Sequence, residues 1–395
     1  MTGDFCCPVD PGMTRVLIAF DKFKNSLSAG EACAVAAEAL GRRHPGWELD
    51  ICPLADGGEG FGKILTERAG GEWCEVVVTG PRGETVRVGY GLVRAGAIAA
   101  SVRELMQVSL APDDILGVIE MALASGLAQL PMSRRDPWLA ESTGTGELIA
   151  AAAVTGAKAI LLGIGGSATN DLGLCALSAL GLEALDRAGE VVDPPTPARW
   201  KEIVSFRGSV VLPALFFACD VTNPLLGPEG CTSVYGPQKG LRPEEIGAME
   251  KEVGRIAGLL CEHFGKPRDL AATPGAGAAG GIGFGFLCAA DARFLSGADL
   301  VSGWLDLAAR IERADIVITG EGRFDASSLY GKGPGELALR ASKRGKKVFI
   351  FPGSAEEGLA ASEGVEICPI TPSGMALEEA HLRAGELLAA AVSQI

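Results

Sequence analysis

Histidine is scarce in this sequence: three residues, His44, His263 and His381, in a chain of 395. All three fall in helical or helix-end contexts, outside every motif described below. That argues against chemistry driven by a histidine base and against a zinc site. The 11 cysteines are odd in number and scattered, and contain no Cys-x-x-Cys. They read as reduced core thiols, with Cys6-Cys7 in an N-terminal extension. Basic residues are outnumbered, 35 Lys and Arg against 49 Asp and Glu, a formal net charge of −14. Nucleic acid and anionic membranes are therefore poor partners. The longest uncharged apolar stretch, Thr273 to Ala290, is Gly-rich and too short to span a bilayer comfortably. Residues 1–13 have neither a basic n-region nor an apolar h-region, so a cytoplasmic location is expected. No Gly-Lys-Ser/Thr closes a Walker A loop, and no dinucleotide fingerprint is found.

What the chain does have is glycine, 55 residues, concentrated in turns that also carry charge. Ala55-Asp56-Gly57-Gly58-Glu59-Gly60, Gly163-Ile164-Gly165-Gly166-Ser167-Ala168-Thr169-Asn170-Asp171 and Thr319-Gly320-Glu321-Gly322-Arg323-Phe324-Asp325 are the three richest. Glycine lets backbone N–H groups approach an anion, and a following helix N-terminus adds positive potential. Carboxylates beside such a cradle suggest a magnesium–phosphate site, hence phosphoryl transfer on a small soluble substrate.

With 48% hydrophobic and 21% charged residues the composition is globular, and the length favours two domains. The rhythm supports an α/β fold. A strand is expected at Arg15–Phe20, then a helix opened by the capping-box pair Ser28 and Glu31, a strand at Trp47–Pro53 and a helix at Phe61–Ala69. A hairpin, Glu75–Thr79 with Thr85–Tyr90, breaks the pattern. Further on come a helix at Thr145–Ala153, strands at Lys158–Leu162 and Leu212–Cys219, and a helix at Pro243–His263. From Ala314 the first rhythm returns, with strands at Asp315–Thr319, Lys347–Phe351 and Val365–Ile370, and helices at Pro334–Ser342 and Leu377–Val392. Residues 1–13 are expected to form a flexible extension. Residues 14–70 and 295–395 then make a doubly wound parallel-sheet domain from both chain ends, with residues 71–294 inserted as a second α/β domain. Ligands of such sheets sit beyond the C-terminal strand ends, so the Asp21, Asp56 and Glu321 turns are expected to face one crevice.

Each candidate has a structural alternative. Lys24 is a phosphate or carboxylate ligand, or a solvated turn lysine. Asp21 is a metal ligand or base, or the anchor of an Asx-turn. Asp56 and Glu59 share a cation or a substrate hydroxyl, or cap the helix that follows. Gly165, Gly166, Ser167, Thr169 and Asn170 form the best phosphate loop, closed by Asp171 as base, magnesium ligand or helix cap. Asp220, after an apolar strand and ahead of Asn223, reads as catalytic or metal-binding. Lys239, in a rigid Gly-Pro-Gln-Lys-Gly turn, holds a cation toward phosphate or is simply exposed. Arg323 binds phosphate or carboxylate bidentately, or pairs internally with Asp325. Lys332, between Gly331 and Gly333, resembles a loop lysine facing phosphate.

Taken in order, several segments resemble the type I glycerate kinase family of bacteria. They include Asp21-x-Phe23-Lys24-x-Ser26-Leu27-Ser28, Pro53 to Gly60, Val78-Thr79-Gly80-Pro81, and Ile119-Glu120-Met121-Ala122. Ser142 to Leu148, Gly163 to Asp171, Ala218 to Leu225, Gly236 to Gly240, Pro274 to Gly281, Thr319 to Asp325 and Gly331-Lys332 complete the set. The resemblance covers most of the chain from residue 14. It implies ATP- and Mg²⁺-dependent phosphorylation of D-glycerate to 2-phosphoglycerate or 3-phosphoglycerate, and a flavodoxin-like domain carrying an inserted one. The candidate roles are Asp171, Asp220, Asp56 and Lys24 in catalysis, with Asp220 and Asp171 also as metal ligands. Asp21, Glu59, Asn223, Lys239, Glu321, Arg323, Asp325, Lys332 and the 165–170 loop would bind substrate and phosphate. A small-molecule substrate and a homodimer are the partner expectations. One departure is a longer stretch around Arg94–Leu116, read as a surface insertion with an extra helix at Ala99–Met106. Two rival readings remain at this point: a dinucleotide-dependent hydroxy-acid oxidoreductase, and a sugar-acid-binding regulator without catalysis.

Overall fold

The computed structural model describes residues 13–329, 333–356, 359 and 363–395. The fold is mixed α/β with parallel sheets, as expected from the alternating rhythm. The chain forms two compact units: one runs to Ala55 and resumes at Asp306, and the other is Asp56–Leu305.

The first unit contains a five-stranded sheet in the order Val365–Ile367, Lys347–Ile350, Ile316–Gly320, Arg15–Phe20, Glu48–Ile51, parallel throughout. A strand buried on both faces needs a continuous apolar run, and Val16 to Phe20 supplies it. Helix Ala29–Arg43 opens with the expected capping box, Ser28 and Glu31 each bonding the other's backbone. Its small buried face, Ala32, Cys33, Ala36, Ala39 and Leu40, packs into the core with Phe20, Ile318 and Phe349. The terminal segment, expected as one helix, is two: Leu377–Leu382 and Ala384–Val392, separated at Arg383 (φ −102°, ψ 9°). Gly385, in the restarted first turn, lowers helix preference there.

The second unit carries a six-stranded sheet in the order Ala292–Leu295, Ala214–Ala218, Ala159–Gly163, Ile115–Glu120, Thr85–Arg94, Glu72–Thr79. The first four strands are parallel; the last two form the expected hairpin, in register from Glu72↔Leu92 to Thr79↔Thr85. Gly89 is required there, because the Trp73 indole fills the place of a side chain: a Cβ would lie 2.2 Å from Trp73 Nε1. The boundaries expected from the sequence lie near residues 71 and 294. Helix Phe61–Arg68 packs on helix Gly297–Trp304 within this unit, Trp304 Nε1 donating to Leu65 O at 2.9 Å. The extra helix is present as Ala100–Met106, with Val102 and Met106 buried, Val102 lying against Gly303. The Gly/Ala run after Pro274 enters helix Ile282–Ala289. No described helix is long and apolar enough to cross a membrane. The nine described cysteines are free, six of them buried, while Cys6 and Cys7 lie outside the described residues.

Candidate active site

Parallel pairing aligns strand ends, so a register row at the C-terminal edge gathers whatever follows each strand. In the second unit that row is Glu120, Gly163, Ala218 and Leu295. The Asp56–Gly60 turn lies across it. Gly165 N donates to Gly57 O at 3.0 Å, and a Cβ on Gly57 (φ +83°) would sit 3.2 Å from Ala218 O. Gly60, left-handed, begins helix Phe61–Arg68 with no side-chain cap of its own. The cap comes from another strand: Glu120 Oε2 accepts Gly60 N at 3.1 Å and Gly62 N at 3.2 Å. Asp56 is therefore not the helix cap. It closes an Asx-turn, its Oδ1 accepting Gly58 N at 3.0 Å, and both Asp56 and Glu59 are exposed.

Glu120 was missed as a site residue. The available signal was an acid ending the apolar run Ile115–Ile119, a place where a buried carboxylate needs donors.

The Gly163–Asp171 loop is knit into its surroundings. Leu127 N donates to Gly166 O and Ala168 N to Ser125 O. Ser167, Thr169, Asn170 and Asp171 are all buried. Asn170 Nδ2 donates to Thr232 Oγ1 at 3.2 Å, while Thr169 Oγ1 and Asn170 Oδ1 have no hydrogen-bond partner among the described residues. The Asp171 carboxylate is enclosed by internal donors: Ser142 N at 2.9 Å, Ser142 Oγ at 2.6 Å and Gly173 N at 3.1 Å. Leu172 and Gly173 are both left-handed, so the helix that follows begins at Leu174. Beside Asp171, burial pushes the Glu141 carboxyl up, against a Thr143 hydrogen bond that lowers it.

Lys239 is buried, which sets aside the exposed-turn alternative. Its Nζ donates to Ser167 Oγ at 2.9 Å and to Thr169 O at 2.6 Å. Burial pulls its ammonium down to about 8, with the neighbouring Cys231 and Asp171 acting in the opposite direction. Asp220 is half-buried at the start of helix Gly297–Trp304, where Oδ1 accepts Ala298 N at 3.0 Å, a position the helix dipole favours for an anion. Asn223 is held on both sides, by the Tyr235 hydroxyl at 2.6 Å and by Glu229 O at 2.8 Å.

In the first unit, Phe20 pairs with Gly320, which brings the next residues, Asp21 and Glu321, side by side. Asp21 Oδ1 accepts Lys22 N at 2.7 Å, and Lys22 Nζ stands 3.6 Å away. Burial pushes the Glu321 carboxyl up to about 7; Ser328 opposes this by a hydrogen bond, and the charges of Asp21 and Asp325 add to it. Its Oε1 is buried with no hydrogen-bond partner among the described residues. Arg323 Nε lies 3.7 Å from Asp325 Oδ2 with the arginine side chain 73% exposed, so the internal pair is loose and the guanidinium open to solvent. Gly322 makes room for the neighbouring turn: a Cβ there would sit 3.2 Å from Lys24 N. Lys24 itself is exposed, and Lys332 lies outside the described residues.

Among the described residues, no group of three or more His, Cys, Asp or Glu is arranged to hold a metal ion. Magnesium characteristically binds through one or two carboxylates plus substrate phosphates, and single strand-end acids fit that mode.

Residues 16–395 match the model of the glycerate kinase family. The chain is 37% identical over 382 residues to a glycerate kinase of Bacillus subtilis (strain 168), covering 95% of this chain and 94% of the relative. It is 34% identical to the glycerate 2-kinase of Escherichia coli (strain K12), covering 89% of each. A crystal structure assigned as glycerate kinase 2 from Salmonella typhimurium LT2 superimposes with a TM-score of 0.75 at 35% identity, covering 97% of both chains. Kinase relatives along nearly the whole length decide against the oxidoreductase and inactive-regulator readings: the chain belongs to the glycerate kinase family and is an enzyme, a kinase.

Proposed function

We propose that this protein is a type I glycerate kinase, transferring the γ-phosphoryl group of ATP in line to a hydroxyl of D-glycerate and giving 2-phosphoglycerate. The observation that carries this reading is the row of strand ends in the second unit, with two glycine turns laid over it and exposed or half-buried acids at its margin. Phosphoryl transfer needs positioning and charge neutralisation more than covalent help, and this edge offers both. The Gly165–Asn170 loop is the phosphate cradle. Asp56 or Asp220 orients the attacking hydroxyl and accepts its proton. Asp171, enclosed by Ser142 and Gly173, fixes the loop's exit instead of meeting the reactants. The first unit offers Lys24 and Arg323 as cations for an anionic group, with the acids Asp21, Glu321 and Asp325 in the same turns. Mg²⁺ would be held by Asp220, with Asp56 or Glu59, and would offset phosphate charge when bound. The enzyme would act in the cytoplasm, as a homodimer, with unit one as a flavodoxin-like domain and unit two inserted in it.

The test is ADP release with Mg-ATP and D-glycerate, with the product identified by phosphorus NMR, for the wild type and Asp220→Asn. Glycerate-dependent turnover that falls about 100-fold or more in the variant supports the assignment. A folded wild-type protein without glycerate-dependent turnover overturns it, and 3-phosphoglycerate as product overturns the regiochemistry alone.

A further inference from the structure

We propose that Lys239 is a positioning residue for phosphoryl transfer: from beneath the Gly163–Asp171 loop, its ammonium holds Ser167 and Thr169 and supplies positive charge to the cradle without touching the phosphates. This rests on reading that loop as the phosphate site.

The geometry carries the case. The lysine comes from the short turn Pro237–Lys239, and Gly240 (φ +98°) closes that turn so tightly that a Cβ would lie 2.3 Å from Arg135 O. The turn therefore has little freedom to swing outward. The side chain is 2% exposed, and two of its three N–H groups go to one loop, at 2.9 Å to Ser167 Oγ and 2.6 Å to Thr169 O. A hydroxyl and a single carbonyl are meagre partners for a buried ammonium, whose removal from water is strongly unfavourable. A neutral donor would hold the loop with less desolvation. The charge is thus the feature in need of a use, and an anion bound on the loop provides it. Asp171, whose carboxylate is spoken for by Ser142 and Gly173, lies near enough to favour the charged lysine. The pull of burial leaves Lys239 mostly protonated at neutral pH.

The experiment is native-state hydrogen exchange of the Ser167–Asn170 amides in the ligand-free protein, with steady-state kinetics, for Lys239→Met, Lys239→Gln and Ser167→Ala. Lys239→Met is expected to speed exchange in the loop about tenfold or more and to lower kcat/KM about 100-fold, the scale of a loop displaced by an ångström. Lys239→Gln, which keeps a donor but not the charge, is expected to recover slow exchange without recovering turnover. Ser167→Ala, the mildest change, reports on the loop if the lysine variants fail to fold, with faster exchange at Thr169 and Asn170. Unchanged ligand-free exchange, with only a raised KM for Mg-ATP, would make Lys239 a direct phosphate ligand and overturn the proposal. Wild-type turnover in the glutamine variant would overturn the role of the charge. Absence of glycerate-dependent turnover in the wild type would remove the kinase reading, while the exchange result would still decide whether Lys239 holds the loop.

Discussion

At the strand ends of the first unit carboxylates crowd one another; at those of the second, backbone turns do. The charges of Asp21 and Asp325 add to the burial that raises the proton affinity of Glu321, and Arg323 leans out into solvent. The Asp56–Gly60 and Gly163–Asp171 turns instead touch main chain to main chain. Each is fastened by a buried polar side chain from a different element, Glu120 for the first and Lys239 for the second. The same parallel-sheet geometry thus yields a titrating edge in one unit and a rigid cradle in the other. A cradle for phosphate must be preorganised, because donors that reorganise during the reaction lose their electrostatic advantage.

The largest contrast should come from adding one methyl group to each unit. In the second, a Cβ at Gly165 would stand 2.7 Å from Gly58 Cα and 2.9 Å from Gly58 N, and neither backbone atom can step aside. Gly165→Ala is expected to destabilise the unit by roughly 2–4 kcal/mol and to remove most activity. In the first, Gly322→Ala meets Lys24 N at 3.2 Å, a contact that a shift of a few tenths of an ångström relieves. Its loss should stay below about 1 kcal/mol. Urea denaturation and kcat/KM for both variants check this; equal losses would mean that the two edges are equally rigid.

Much of this contrast was legible in the sequence. Alternating apolar runs and glycine turns marked the strand ends, and Ser28 with Glu31 marked a helix start to the residue. The acids of the turns were legible too, because turn chemistry is local. What was not legible is pairing across sequence distance. Nothing near Glu120 reveals that it caps a helix sixty residues earlier, and nothing in Gly-Pro-Gln-Lys-Gly reveals that the lysine points inward. Asp171 showed the same limit: its partner Ser142 is supplied by the packing of helix Thr143–Val154 against helix Leu174–Ala179, a tertiary fact.

Glu120 offers the next test. Glu120→Ala would leave the Gly60 and Gly62 N–H groups without their buried acceptor at a helix N-terminus. The expected destabilisation is about 2–3 kcal/mol, with activity lost through the displaced Asp56 turn. Glu120→Gln, which retains an acceptor oxygen, should recover at least half of the stability. If alanine and glutamine melt alike, the carboxylate does not fasten the turn, and the cradle owes its rigidity to glycine contacts alone.

The smallest effect should appear on the titrating edge, and its sign is opposite. Glu321 has its folded value pushed up to about 7 from the ordinary 4.5, chiefly by burial. Below the ordinary value the carboxyl is protonated in both folded and unfolded chains, and folding carries no penalty from it. As pH rises, the unfolded chain ionises first, so stability falls until the folded carboxyl has also ionised, above about 7. Glu321→Gln keeps an oxygen able to accept from Ser328 but cannot ionise. It should therefore match the wild type at acid pH and exceed it at mildly alkaline pH, by a few degrees in Tm, roughly 2–4 °C for each kcal/mol relieved in a unit of this size. Thermal melts of both proteins across that range measure the difference. A constant offset at every pH would show that the gain comes from packing, and that the acids of this edge do not repel one another; an offset growing with pH would mark the edge as a place where a bound cation or a shared proton is worth having.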